Sequence, residues 1–445
     1  MQQYDSYKDS GIKWIGEVPS HWEVVHLKQA LKSFQDGTHG TYKNVDHGRV
    51  LLSAKNVTEQ GLVIGENERI ISEEDYSEIV SNGFPQKGDV LLCCVGTIGR
   101  CCIFVEPAPV AFQRSVTFLR TNKRLLNKML LFILKNQYVV TQLNLFAKTS
   151  AQSGVYMGDL ANFYIAVPPL LEQQMIVDYL DKKCSEIDNV ISAQQKRIAL
   201  LQELKQSVIT HAVTKGLNPN VKMKDSGVEW IGKVPKHWEI YKIKNCCKTE
   251  QYSIKTGPFG TQLKGEDLQP QGDVAVYSQQ NVINNDFTKV RYFVSNKKAK
   301  ALKGFYTTPN DVLITSRGTI GKAAILSPSF PNGILHPCLI ALRLKQNLCL
   351  NDWLVMYVNE TDCFKTDISL SSNATTIDVI YTGTLKNIYI PVPPHEEQLE
   401  IVQSIKARCA SIESSICKAK QQVELLQEYK QSLITEVVTG KRKVS

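Results

Sequence analysis

The sequence predicts an α+β protein in which two tandem globular domains alternate with two long helices, the helices pairing as an antiparallel coiled coil about an internal pseudo-two-fold. Three observations carry this. The segment Lys8-Asp-Ser-Gly-Ile-Lys-Trp-Ile-Gly-Glu-Val-Pro-Ser-His-Trp-Glu-Val24 returns as Lys224-Asp-Ser-Gly-Val-Glu-Trp-Ile-Gly-Lys-Val-Pro-Lys-His-Trp-Glu-Ile240. After each copy come short β-rich runs separated by Gly, Pro, Asn and Asp, the pattern of a compact α+β domain of about 150 residues. Each domain then gives way to a stretch without proline or glycine whose apolar residues keep heptad spacing.

The duplication runs the length of the chain. Lys87-Gly-Asp-Val-Leu-Leu and Gly96-Thr-Ile-Gly-Arg100 match Pro309-Asn-Asp-Val-Leu-Ile and Gly318-Thr-Ile-Gly-Lys322. Pro168-Pro-Leu-Leu-Glu-Gln173 matches Pro393-Pro-His-Glu-Glu-Gln398, and Leu200-Leu-Gln-Glu-Leu-Lys-Gln-Ser matches Leu425-Leu-Gln-Glu-Tyr-Lys-Gln-Ser. The offset is 216 residues at Trp14 and Trp230, 222 at Asp89 and Asp311, and 225 at Gln173 and Gln398. Insertions therefore fall in the first part of the unit, and the last part keeps strict register. So long a period excludes a solenoid, whose repeats recur every ~20 to 50 residues.

In chain order, the first domain spans residues 1–167. Gly48-Arg-Val-Leu-Leu-Ser53 and Asp89-Val-Leu-Leu-Cys-Cys-Val95 read as strands, and Leu125 to Leu143 as helical. A helical spacer, 168–216, opens on Pro168-Pro169 and closes at Gly216, proline suiting a helix start and glycine its end. Within it Ile187, Ile191, Gln194, Ile198, Leu201, Lys205, Val208 and Ala212 follow the 4,3 spacing of a seam. The second domain spans 217–392. The second spacer, 393–445, places Ile412, Ile416, Ala419, Val423, Leu426, Lys430, Leu433 and Val437 at the equivalent positions. A helix of ~40 residues is about 60 Å long. Two such helices most simply pack on each other, and if antiparallel they hold two recognition domains apart by more than one turn of duplex, ~34 Å.

The 445 residues carry a formal net charge of +9, which favours an anionic partner without requiring one. No run of ~18 apolar residues and no charged-then-apolar start indicate a membrane span or a secretory signal, so the chain is read as cytoplasmic. Its 12 cysteines, without paired spacing, read as reduced thiols. Cys93-Cys94 and Cys101-Cys102 flank a hairpin turn at spacings a metal could use. Their equivalents are Thr315, Ser316, Ala323 and Ala324. A metal needed by the unit would not be missing from half of it, so these cysteines read as small strand residues.

On these motifs the chain resembles the specificity subunit of type I restriction-modification enzymes over essentially its full length. The carrying residues are the paired Trp-Ile-Gly-x-Val-Pro-x-His-Trp-Glu segments (Trp14 to Glu23, Trp230 to Glu239), the Asp-Val-Leu…Gly-Thr-Ile-Gly hairpins, the Pro-Pro-x-x-Glu-Gln helix starts and the Leu-Leu-Gln-Glu…Lys-Gln-Ser segments. The resemblance implies two target-recognition domains, each reading one half of a split site in double-stranded DNA, alternating with helices that form an antiparallel spacer. It implies that the helices fix the unread gap and dock two methylation subunits, and that restriction and motor subunits join that core. S-adenosylmethionine, ATP and Mg are then expected on those partner subunits, with no cofactor and no chemistry in this chain.

The residues agree. A phosphate-binding loop needs four residues between its first glycine and Gly-Lys, whereas Gly318-Thr-Ile-Gly-Lys322 has two and is followed by Ala323. Val167-Pro-Pro-Leu170 and Val392-Pro-Pro-His395 lack the Asn or Asp and the aromatic residue of an adenine methyltransferase motif. Glu203-Leu-Lys205 and Glu428-Tyr-Lys430 sit mid-helix as solvated charges, and the eight histidines form no His-Glu-x-x-His pattern.

Base reading needs side chains with paired donors and acceptors on loops, with Lys and Arg nearby for phosphates. In the first domain the candidates are Thr38, His39 and Lys43 within Asp36 to Lys43, then Lys55 and Asn56. In the second they are Lys255, Thr256, Gln262 and Lys264, then Gln279, Gln280 and Asn281. Their places are equivalent and their sequences differ, as expected for readers of two unlike half-sites. The glycines near Thr256 fit either a backbone approach to phosphate or ordinary turns. Arg100, Lys322 and Arg114 read equally as phosphate contacts and as solvated loop charges. The polar stretches Thr149 to Gly158 and Ser369 to Thr384 lead back to the helices and could also reach a groove. Trp14, Trp22, Trp230 and Trp238 recur identically, which favours packing over base stacking. Partner docking and helix packing fall to Glu172, Gln173, Glu397, Gln398 and the apolar seam. A self-contained restriction or modification enzyme would need a catalytic domain that the sequence does not show, and a scaffold without DNA leaves the unlike loops unexplained.

Overall fold

Pro168-Pro169 and Pro393-Pro394 each follow a short strand and release a long helix, because a ring-locked φ suits a first helical turn and cannot continue a ladder. The computed structural model describes residues 3–105, 109–147, 154–371 and 379–444. In the first domain β1 (Leu31–Asp36), β2 (Val90–Cys93), β3 (Cys101–Ile103) and β4 (Val116–Thr121) form an antiparallel sheet in the order β3-β2-β4-β1. The helix α1 (Leu170–Lys215) follows. In the second domain β5 (Ile254–Thr256), β6 (Val312–Thr315), β7 (Ala323–Ile325) and β8 (Leu339–Leu342) repeat the sheet as β7-β6-β8-β5, and α2 (His395–Val438) follows. Each domain adds a three-stranded sheet with one parallel pair, Val110–Phe112 beside Arg49–Leu52 and Ile334–Leu335 beside Val274–Tyr277. Each also pairs its early strand with its last one, Glu23–His26 with Tyr164–Val167 and Glu239–Lys242 with Tyr389–Val392.

The chain divides into two compact units, Met1–Lys196 with Ala419–Ser445, and Arg197–Lys418. Each unit is therefore one domain plus half of each long helix, and in each the helices run antiparallel. In the first unit Ile187 and Ile191 of α1 share a core with Leu433 and Val437 of α2, and Val423 and Leu426 pack against it. In the second unit Ile209, Ala212 and Val213 share a core with Ile401, Val402 and Ile405. Ile198, Leu201, Val208, Ile412 and Ile416 are half-buried along the same seam. The lysines that interrupt the seam reach carboxylates on the opposing helix, Lys430 to Asp188 at 2.7 Å and Lys205 to Glu413 at 2.6 Å. Their stems cover apolar surface while their charges are paired at the edge.

The repeated opening segment is the joint between domain and helix. Trp22 and Trp238 are fully buried. Trp22 donates its indole N–H to Glu172 Oε1 at 3.1 Å, beside His21 Nε2 at 2.7 Å from Oε2 and the Tyr4 hydroxyl at 2.5 Å from Oε1. The second unit repeats the pair, with Trp238 Nε1 at 3.0 Å and His237 Nε2 at 2.6 Å from Glu397 Oε2. Gln173 and Gln398 are buried next door. Gln173 accepts from Leu126 N at 2.9 Å and donates to the Arg124 and Pro168 carbonyls, both at 2.8 Å. Gln398 accepts from Leu350 N and donates to the Leu348 and Pro393 carbonyls, each at 2.8 Å. The Pro-Pro-x-x-Glu-Gln motif thus ties each helix start to its own domain. Trp14 is half-buried against Phe163, with ring centroids 4.8 Å apart.

Candidate nucleic-acid interface

In the first unit the loops that carry most candidate readers are stitched together at one end of the sheet. Gly37 N donates to Val116 O at 3.0 Å, Gln113 N to Leu52 O at 2.8 Å, and Cys94 N to Ser115 O at 3.1 Å. The second unit repeats each bond: Gly257 N to Leu339 O at 3.1 Å, His336 N to Tyr277 O at 3.0 Å, and Ser316 N to Cys338 O at 2.8 Å. A Cβ on Gly37 would lie 2.3 Å from the Phe112 carbonyl oxygen, and one on Gly257 would lie 2.2 Å from that of His336. Gly257 is therefore required by close approach of the protein's own backbone, which accounts for it without a phosphate. The Gly-Thr-Ile-Gly segments close hairpin turns, with Gly99 N on Cys93 O at 3.0 Å and Gly321 N on Thr315 O at 2.9 Å.

On this shared frame the side chains differ. In the first unit His39, Lys43, Lys55, Arg100 and Arg114 are exposed and Thr38 is half-buried. His39 Nε2 lies 2.6 Å from Asp36 Oδ2, the Thr38 hydroxyl lies 2.9 Å from that of Tyr42, and Lys55 pairs with Glu68 at 2.7 Å. Burial opposes ionisation of Glu68, but hydrogen bonds from Lys55, Asn56 and Gly65 outweigh it and hold its carboxyl below the usual range. A cleft of about 220 Å³ opens beside His39, with Gln35 and Asn82 among its walls and Phe84, Phe112 and Phe118 supplying apolar surface. In the second unit Gln262, Lys264 and Gln280 are exposed, and Thr256 and Lys322 are half-buried. Lys264 pairs with Glu266 at 3.3 Å.

Four candidates serve the frame instead of facing outward. Asn56 is buried, accepts from Ser53 N at 2.9 Å, and donates to Val63 O at 3.0 Å and Glu68 Oε1 at 2.7 Å. Asn281 does the same, accepting from Ser278 N at 2.9 Å and donating to the Asp286 and Lys289 carbonyls at 3.0 and 2.9 Å. With their amides engaged in this way and no exposed edge, neither is placed to read a base. Lys255, equivalent to Gln35, is half-buried and donates to the Tyr306 carbonyl, and burial lowers its pKa. Gln279 spans the neighbouring turn: with its amide turned to satisfy both ends, it donates to Arg317 O at 2.8 Å and accepts from Thr319 N at 2.9 Å. Arg317 and Phe259 also lie on these loops, and their equivalents are the apolar Val95 and His39, so neither position stands out by type in the sequence. Of the polar stretches leading back to the helices, 149–153 and 372–378 lie outside the described residues. Gly154 bridges to Val95 and Val379 to Arg317, so the described end of each returns to the same turn.

The cysteines flanking the first turn split between two cores. Cys94 and Cys101 face one and Cys93 and Cys102 the other, so the four sulfurs do not converge. Among the described residues no group of three or more His, Cys, Asp and Glu is placed to hold a metal ion, and no helix is long and apolar enough to cross a membrane.

One α+β frame built twice, bearing unlike loops and tied to paired helices, defines a tandem-domain recognition protein. A family model for the type I restriction modification DNA specificity domain matches residues 19–200 and again residues 235–425, and the chain belongs to that family. It is 24% identical over 453 residues, covering 98% of both chains, to a Methanocaldococcus jannaschii protein assigned as the specificity subunit of the type I restriction enzyme MjaX. It is 22% identical over 294 residues to the Escherichia coli EcoBI specificity subunit, covering 63% of this chain and 59% of that one. The fold matches a chain from a solved structure of a type I restriction-modification system, with a TM-score of 0.70 at 16% identity over 95% of this chain and 98% of that one. It also matches the HsdS subunit of Thermoanaerobacter tengcongensis, with a TM-score of 0.53 at 16% identity over 96% and 98%.

Proposed function

We propose that this chain is the DNA-reading subunit of a type I restriction-modification complex, each domain reading one half of a split duplex site. The observation that carries the reading is the matched frame under unmatched side chains. The same backbone bonds recur at Gly37 and Gly257, yet the residues they present are His39 and Arg114 in one unit and Phe259 and Pro337 in the other. A scaffold for protein partners alone would have no need of that divergence. The chain itself does no chemistry in this reading. Two methylation subunits dock on the helical regions and carry S-adenosylmethionine, and the restriction subunit brings ATP and Mg. The helices set the unread gap.

Exchanging residues 25–165 for the corresponding domain of another family member should change one half of the methylated motif, read by sequencing modified adenines in cells carrying all three genes. A change in both halves overturns the assignment. Phosphate contacts should make DNA affinity of the complex with its methylation subunits fall steeply with salt. No binding at low salt returns the chain to a protein scaffold.

A further inference from the structure

Phe259 lies two residues beyond Gly257, whose backbone is pressed against His336, so its ring stands on a rigid base; even so, 43% of the residue is exposed. Arg317 follows β6 on the adjacent turn, and its Cζ lies 5.1 Å from the Phe259 ring centroid. The turn is braced on both sides by Gln279 and by the bridge to Val379. Among the described residues the guanidinium is nevertheless unanswered: its Nε is buried with no partner there, and no carboxylate there pairs with it. In the same unit Arg343 is paired with both Asp311 and Glu250. Leaving a buried donor unpaired is costly, and a group left so in a native structure needs a reason.

Stacking on a phenyl ring engages the face of a guanidinium and leaves its in-plane N–H donors free. A planar guanidinium fork held over an exposed ring on a loop is matched to the O6 and N7 acceptors on the major-groove edge of guanine. Resting on the function proposed above, we infer that Arg317, held against Phe259, reads one guanine in the half-site of the second domain. The first domain has His39 and Val95 at the equivalent positions, so the arginine–phenylalanine pair is not repeated there.

The test uses the full chain assembled with its methylation subunits. Wild-type complex should lose about 5- to 150-fold in affinity when one guanine of the second half-site is replaced by 7-deazaguanine, which lacks the N7 acceptor. Arg317→Ala should be insensitive to that replacement, and the first half-site should be read unchanged. Phe259→Leu should weaken discrimination at the same base while leaving assembly intact. Three results overturn the inference: a second half-site without guanine, 7-deazaguanine tolerated throughout it, or Arg317→Ala weakening every duplex alike with a shallower salt slope, the mark of a phosphate contact. The modified-base arm needs no variant, so a misfolded Arg317→Ala leaves the inference open to refutation. Failure of the wild-type complex to bind any duplex overturns the DNA-reading assignment and this inference together.

Discussion

Trp22 donates its indole N–H to Glu172 Oε1 at 3.1 Å, across 150 residues of chain, and Trp238 repeats the bond to Glu397 at 3.0 Å. The carboxylate sits in the first turn of its helix, where the unpaired backbone N–H groups favour negative charge. Glu172→Ala strands the donors of Trp22 and Tyr4 and should destabilise the first unit by about 1–3 kcal/mol. Glu397→Ala should do the same to the second. Urea unfolding of the full chain measures both, and no change in either variant would remove the joint's structural role.

A second matched pair lies inside the sheets. Arg120 meets Asp89 with two bonds, at 3.0 and 2.8 Å, and Arg343 meets Asp311 at 3.0 Å. Asp89 and Asp311 are buried, and Asp89→Ala leaves the half-buried guanidinium of Arg120 without its counter-ion. The expected loss is about 1–3 kcal/mol. Replacing Asp89 and Arg120 together by Leu and Met should recover most of it, and a double variant no better than the single one would show that packing, not charge, is at stake.

Gly37→Ala and Gly257→Ala each drive a Cβ into a backbone carbonyl, which cannot move aside as a side-chain tip can. Overpacking of this kind costs about 1–3 kcal/mol. Gly158→Ala, where the added carbon meets open space, serves as the control. Thermal unfolding should separate the three, and equal midpoints would contradict the close approach.

Burial pushes the Cys93, Cys94 and Cys102 thiols up to about 11 and that of Cys101 up to about 12. A raised thiol pKa means a protonated, unreactive sulfur at neutral pH, so these four should resist iodoacetamide until the protein unfolds. Cys417 is exposed and should be alkylated first. Peptide mass spectrometry after brief native labelling gives the order, and rapid labelling of Cys101 would show that the hairpin is open.

The duplication, the α+β class, the two helices and their start at Pro-Pro were legible in the sequence because each rests on local or periodic signals. A repeated string needs no coordinates, a seam declares itself at 3.5-residue spacing, and proline punctuates whatever the fold. Even Lys205 and Lys430 could be seen as interruptions of the seam, although their answering carboxylates, Glu413 and Asp188, could not.

The site was legible only in outline. That unlike loops sit on like frames follows from comparing the halves, but which side chains face outward depends on contacts between segments far apart in the chain. Asn56 and Asn281 have the composition of base readers, and the fold engages their amides within its own turns. Arg317 shows nothing in sequence beyond a mismatch with Val95. Its place over the Phe259 ring exists only because the turn after β6 is brought beside the loop after Gly257, and among the described residues its Nε finds no partner there. Periodicity and punctuation are properties of neighbours along the chain, and tertiary structure alone decides whether a polar group is satisfied internally or left free for a partner.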